Sequence, residues 1–129
     1  MRQLLFVLLV AIWAACRPAA PETIPLPTEI CVKTTHHNFP IPDAVVYIKF
    51  NADSFPGYEQ EAGYYDDSFR TGKNAHGCLS SIPEGRHWLV AFGYDSLHYP
   101  HHVFGSLPIE ISLGSRAKLD TMLYVSEKH

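Results

Sequence analysis

The sequence predicts an all-β fold, a β-sandwich of seven short strands. No segment after residue 28 carries a sustained apolar repeat of helical period, so helices are not expected there. Short alternating or β-branched runs recur instead, and turn residues separate them at intervals of roughly ten residues, as in small sandwiches. The pattern predicts one domain over residues 29–126, followed by a tail over residues 127–129.

The predicted strands can be placed in order along this domain. They cover residues 29–34, 44–50, 64–70, 78–82, 86–92, 107–113 and 119–125. Val46 and Ile48 are expected to face the core together, because strand side chains alternate between the two faces of a sheet. Both faces of residues 86–92 are rich in apolar side chains, and Trp88 is expected to be the large core side chain that links the two sheets.

Loops and turns connect these strands. Residues 51–63 and 94–104 are polar or rich in turn-forming residues, and both loops are expected to lie at the rim of the sandwich. Gly77 and Gly85 are expected to end hairpins, because glycine adopts the positive φ angles that many tight turns require.

The N-terminus has the features of a secretory signal peptide. Arg2 precedes an apolar run over residues 4–13, which is too short to cross a bilayer, since a spanning helix needs about 20 residues. The run ends in Ala14-Ala15-Cys16, which is similar to the lipobox of bacterial lipoproteins, in which the cysteine is acylated and becomes the new N-terminus. Trp13 departs from the aliphatic residue usual at its position, and an ordinary signal peptide with an incidental Cys16 is the alternative.

The lipoprotein resemblance implies a location. Residues 1–15 would be the removed lipoprotein signal peptide, Cys16 the lipidation site, and residues 16–28 a proline-rich tether that holds the domain off the membrane. Arg17, rather than aspartate, follows the cysteine, which in Gram-negative lipoproteins implies sorting to the outer membrane. The formal net charge of −3 and the lack of a basic cluster argue against nucleic acid as a partner.

Three stretches of the domain carry a second resemblance. They are PIPDAVVYI at residues 40–48, TGKNAHGCLSSIPEGRHWLVAFGYD at residues 71–95, and AKLDTMLYV at residues 117–125. Together they are similar to carboxypeptidase regulatory-like domains, the transthyretin-like (prealbumin-like) β-sandwiches of bacterial envelope proteins. The resemblance covers residues 29–126 and implies a Greek-key-type sandwich. Asp43 stands where the family commonly has glycine, and Cys78 stands where it has an aromatic residue.

Two cysteines remain once Cys16 is assigned to the lipid. Export to an oxidising compartment favours a disulfide between Cys31 and Cys78, which would stabilise the domain by roughly 3–5 kcal/mol. Two unpaired thiols are the alternative, because the order of residues does not show how far apart the two cysteines lie.

No constellation of residues typical of an enzyme is found. No histidine is followed three residues later by glutamate, as a zinc carboxypeptidase would require, and there is no G-x-S-x-G motif or phosphate-binding loop. We therefore expect a non-enzymatic binding or assembly module with no cofactor. Its expected partners are the membrane, through the lipid anchor, and an envelope protein or glycan.

Aromatic residues in the loops are the candidate contact residues. Phe55, Tyr58, Tyr94 and Tyr99 exceed what a small core requires, and tyrosine in loops makes rigid contacts at a modest entropic cost. The alternative is that these rings cover the open ends of the sandwich.

A histidine cluster supports a different hypothesis, a metal-binding lipoprotein. His98, His101 and His102 could offer imidazole nitrogens to one ion, with His36 and His37 joining from another loop. Structural zinc sites usually have four ligands, however, and adjacent residues of a strand point to opposite faces. The preferred hypothesis therefore assigns no metal.

Overall fold

The computed structural model describes residues 28–112 and 118–127. The predictions for the signal peptide, for Cys16, for most of the tether and for the last two residues of the tail lie outside this part of the chain. Between residues 28 and 127, with the gap at 113–117, no helix is long and apolar enough to span a membrane.

The described residues form two packed β-sheets. The strands are β1 (Thr28–His36), β2 (Phe39–Pro40), β3 (Val45–Lys49), β4 (Asp67–Arg70), β5 (His76–Ile82), β6 (Gly85–Tyr94), β7 (His102–Ile111), β8 (Leu119–Tyr124) and β9 (Ser126–Glu127). Their one helical element is a single 3-10 turn at Ala62–Tyr64. The prediction of an all-β fold built from two packed sheets is therefore confirmed.

Each sheet is built around a central strand or pair. In sheet one, β1 pairs antiparallel with β5 and β2 and parallel with β8. Sheet two has the order β4-β3-β6-β7-β9, and the long strands β6 and β7 pair from Gly85↔Ile111 to Tyr94↔His102. These two strands extend together to the end of the sandwich where the histidine-rich loop lies.

The core lies between the sheets. Val46 and Ile48 of β3 are fully buried in it, as predicted, and they pack with aliphatic side chains of sheet one such as Ile30 and Val32. Burial of each such side chain contributes roughly 1.5–3 kcal/mol. Strand alternation continues along β1, so that His36 projects from the same face as Ile30 and Val32.

Trp88 does not link the two sheets, and that prediction is wrong. Leu89 and Ala91 occupy the core face of β6, which places Trp88 on the outer face, where it is only partly buried. The loop over residues 51–63 covers this outer face instead of lying at the rim. Phe55 of that loop lies 5.6 Å from Trp88 between ring centroids.

Gly77 and Gly85 do not end hairpins, which corrects a second prediction: Gly77 lies within β5 and Gly85 begins β6. Strand β5 belongs to sheet one, whereas β4 and β6 belong to sheet two, so the chain crosses between sheets on both sides of β5. Gly85 has a φ angle of 121°, and a Cβ atom there would lie 3.0 Å from Asn51 Oδ1. Glycine at this position therefore serves the crossover between the sheets.

The Cys31–Cys78 disulfide is present, as predicted. The two residues are directly opposite each other in the β1–β5 pair, with their Cα atoms 4.1 Å apart. The bond joins two residues that are 47 positions apart in the sequence and so ties β1 to β5.

Candidate histidine and carboxylate site

Three segments of the chain meet at one end of the sandwich and bring titratable side chains together. The end of β1 and its following turn contribute His36 and His37, the loop after β6 contributes Asp95 and His98, and β9 contributes Glu127. Each segment belongs to a different part of the sequence, so the cluster exists only in the folded domain.

The first two histidines are placed by a tight turn. His37 and Asn38 connect β1 to β2, and both have positive φ angles, 47° and 67°, as in the type I′ turns of two-residue hairpins. The turn brings the ring of His37 to 4.0 Å from that of His36, between centroids. A histidine is uncommon at positive φ, although it is tolerated there better than most residues.

Asp95 is the buried centre of the cluster. Its side chain is 2% exposed, and its Oδ2 atom lies 2.6 Å from His36 Nδ1 and 2.8 Å from His98 Nδ1. The other carboxylate oxygen, Oδ1, accepts a hydrogen bond from the Leu97 N–H at 2.8 Å. Asp95 therefore binds two imidazole rings and the backbone of its own loop.

These hydrogen bonds decide the charge of Asp95. Burial alone raises the pKa of the Asp95 carboxyl, but hydrogen bonds from His36, from the loop backbone and from His98 outweigh burial and hold the pKa well below its usual range. An ionised carboxylate only accepts hydrogen bonds, so the Nδ1 atoms of both rings carry protons. In each neutral ring the lone pair is then on Nε2.

His36 Nε2 is a buried nitrogen with no hydrogen-bond partner. It lies 3.3 Å from Glu127 Oε1, and His37 Nε2 lies 3.7 Å from the same oxygen. The pKa of Glu127 is lowered first by a hydrogen bond from its own backbone N–H and further by the His36 and His37 rings. Two imidazole nitrogens and one carboxylate oxygen thus face a common point.

The other predicted metal ligands are placed differently. His98 joins the cluster, and its ring centroid lies 5.2 Å from that of His37. His101 donates a hydrogen bond from its Nδ1–H to the Asp95 carbonyl at 2.7 Å and stacks on Tyr94, whereas His102 is exposed on β7. Neither belongs to any of the groups of potential ligands that the described part of the chain brings within reach of one ion.

A third group of potential ligands lies on sheet one. It consists of Cys31, Cys78 and His76. The two thiols are joined in the disulfide, which removes the thiolates that a metal ion would bind. Among the groups found between residues 28 and 127, outside the gap at 113–117, the histidine and carboxylate cluster is therefore the one whose ligand atoms are available.

The predicted aromatic contact residues divide between two places. Tyr58 is half-buried against Phe104, with 5.6 Å between centroids, and with Phe55 it covers the outer face of sheet two. Tyr94 and Tyr99 lie at the end of the sandwich near the cluster, where Tyr99 is 86% exposed. Their role in binding stays a prediction.

The sequence identified His36 as a potential ligand but did not predict its burial, and it did not identify Glu127. Glu127 was assigned to a tail, although it lies in β9 and is paired with Val103. The buried position of His36 could have been inferred, because the alternation of Ile30 and Val32 continues to it along β1.

No family model matches the chain, and the search of curated proteins gives no significant match.

Proposed function

We propose that this protein is an exported, lipid-anchored protein of the bacterial envelope, sorted to the outer membrane, whose β-sandwich acts as a non-enzymatic binding module. The resemblance of Ala14-Ala15-Cys16 to a lipobox supports the anchor. The Cys31–Cys78 disulfide supports export, because such bonds persist in oxidising compartments. We further propose that the sandwich is the seven-strand Greek-key domain of the transthyretin-like family that the sequence resembles.

The observation that carries the binding role is an exposed apolar surface at the end of the sandwich. We call it the Tyr99 surface, and it comprises Phe39, Tyr94, Leu97 and Tyr99, of which Leu97 and Tyr99 are 68% and 86% exposed. Beside it lies a groove of about 410 Å³, lined by Phe39, Tyr94, Leu97 and the prolines that follow β1. Single exposed apolar residues are ordinary on a protein surface, but several together are typical of contact sites.

The chemistry of the surface suits an envelope protein or a glycan. Tyrosine and phenylalanine rings stack on sugar rings and pack against apolar side chains, while the tyrosine hydroxyls remain available for hydrogen bonds. The net charge of −3 gives no general attraction for nucleic acid.

Two experiments test the two parts of this proposal. Replacement of Cys16 by serine is expected to leave an unacylated protein in the soluble fraction, and a variant that still sediments with membranes would contradict the anchor. For the binding role, a photoreactive phenylalanine analogue is placed at Tyr99 or, as a matched control, at Tyr124, which is also exposed but lies on sheet one.

The expected result is a crosslinked adduct in native membranes at position 99 and none at position 124. Protease treatment of the adduct distinguishes a protein partner from a glycan. Equal crosslinking at both positions, or none at position 99, would show that the Tyr99 surface is not the contact site.

A further inference from the structure

We propose that His36, His37 and Glu127 bind one divalent transition-metal ion, with Asp95 orienting the ring of His36 from behind. This inference is independent of the proposed function, because it requires neither the lipid anchor nor the Tyr99 surface. It also differs from the alternative hypothesis of a metal site at His98, His101 and His102, since His101 and His102 take no part.

The distances between the ligand atoms agree with a shared ion. Zinc lies about 2.0–2.2 Å from imidazole nitrogen and carboxylate oxygen, so two ligands at a tetrahedral angle are separated by about 3.3–3.5 Å. Glu127 Oε1 lies 3.3 Å from His36 Nε2 and 3.7 Å from His37 Nε2. The three residues can offer one ligand atom each, all within 4.8 Å of one another.

The unpartnered nitrogen of His36 is the second, independent observation. The side chain is 2% exposed, and Nε2 makes no hydrogen bond even though a carboxylate oxygen lies 3.3 Å away. Buried polar atoms without a partner are rare in folded proteins, and each calls for an explanation. The separation of these two atoms is the one expected of two ligands of one ion.

Asp95 supplies the support that metal-binding histidines usually have. Its Oδ2 atom lies 2.6 Å from His36 Nδ1, which holds the proton on Nδ1 and directs the Nε2 lone pair toward Glu127. A carboxylate behind a ligating imidazole fixes the orientation of the ring and makes it a better ligand. The contact at Nδ1 orients the ring and leaves Nε2 without a hydrogen-bond partner.

The donor set indicates the kind of ion and of site. Two imidazoles and a carboxylate, with no thiolate, suit Zn²⁺, Ni²⁺ and Cu²⁺ better than Ca²⁺ or Mg²⁺, which prefer oxygen ligands. His37 is largely exposed and Glu127 partly so, which gives an ion access from solvent. His98 is the nearest further imidazole, with its ring centroid 5.5 Å from that of His36. A site with three ligands and open positions exchanges its ion more readily than a closed structural site.

The test is calorimetric titration of the full chain, purified in detergent, with ZnCl₂ and NiCl₂ and with CaCl₂ as the negative control. We expect one Zn²⁺ per chain with micromolar or tighter affinity, and no binding of Ca²⁺. His37→Ala and Glu127→Gln are each expected to weaken Zn²⁺ binding at least tenfold, and Asp95→Asn to weaken it about 10–100-fold.

A matched control and a spectroscopic measurement keep the proposal open to refutation. His102→Ala removes an exposed imidazole of β7 and is expected to leave the affinity for Zn²⁺ unchanged. Replacement of the buried His36 could impair folding, so this residue is left in place. The number of nitrogens coordinated to bound Cu²⁺ is read instead from the electron paramagnetic resonance spectrum. His37→Ala should lower that number by one. Absence of Zn²⁺ binding, or binding that His37→Ala and Glu127→Gln leave unchanged, would overturn the proposal.

Discussion

His36 and Asp95 form a buried pair, with Nδ1 and Oδ2 2.6 Å apart, that joins the end of β1 to the loop after β6. Since β1 belongs to sheet one and β6 to sheet two, the pair connects the two sheets at the end of the sandwich. Asp95 also binds His98 and the backbone of its loop. The same residues therefore contribute both to stability and to the candidate metal site.

Replacement of Asp95 by asparagine is expected to lower the free energy of unfolding by about 2–4 kcal/mol, because hydrogen bonds between a buried charge and its partners are lost. Urea unfolding of the metal-free protein at neutral pH measures the change. Asp53→Asn is the control, since Asp53 is exposed, and it should change the free energy by less than about 0.5 kcal/mol. Equal effects of the two substitutions would show that the Asp95 network does not stabilise the fold.

The contribution of Asp95 to stability depends on pH in a defined direction. Its pKa lies below the ordinary value of 3.8, so the contribution is fully present above that pH and is lost as the pH falls toward the native pKa. The difference in unfolding free energy between the unsubstituted protein and Asp95→Asn should therefore shrink as the pH is lowered below 3.8. A difference that grows as the pH is lowered below 3.8 would contradict this assignment.

Loss of the disulfide is expected to destabilise the domain. In the double substitution Cys31→Ser and Cys78→Ser, the unfolded chain regains the freedom that the 47-residue loop denies it, and the free energy of unfolding should fall by roughly 3–5 kcal/mol. Chemical denaturation compares this variant with the oxidised protein and with the protein reduced by dithiothreitol. The reduced protein should behave like the double variant, and a loss below about 1 kcal/mol in both would refute the expectation.

Gly105 lies where β7 approaches the end of β8 too closely for a side chain. A Cβ atom there would overlap the carbonyl oxygen of Tyr124 and lie 2.7 Å from Leu123 Cδ2. Gly105→Ala is expected to cost about 1–3 kcal/mol, measured by thermal or urea unfolding. Gly63→Ala, where a Cβ atom meets nothing within 4 Å, is the matched control and should be nearly neutral.

Residue order alone was sufficient for part of the fold. The Cys31–Cys78 pairing was expected from the cysteine count and from export, and only the structure shows the two residues opposite each other. The alternation of apolar residues predicted that Val46 and Ile48 share the core face. It was not sufficient for Trp88, because both faces of β6 are apolar and alternation does not say which one meets the other sheet. The aromatic residues of the loop over 51–63 cover the face that carries Trp88.

Turn chemistry has a similar limit. Glycine with a positive φ angle at position 85 marks a change of direction. It does not determine whether the next strand pairs with the previous one or crosses to the other sheet. That choice depends on how the whole set of strands buries its apolar faces, and here β5 and β6 lie in different sheets.

The candidate site shows the same division most clearly. β1 continues to His36 and directs it inward, although the predicted strand ended at residue 34 and left His36 in a loop. The residue types were enough to identify histidines as potential ligands. They do not reveal that Asp95 lies behind the His36 ring and Glu127 in front of it. Those neighbours come from distant segments, which meet only when the two sheets pack and β9 pairs with β7. A local sequence pattern determines the face on which a side chain lies, whereas long-range packing determines which residues it contacts.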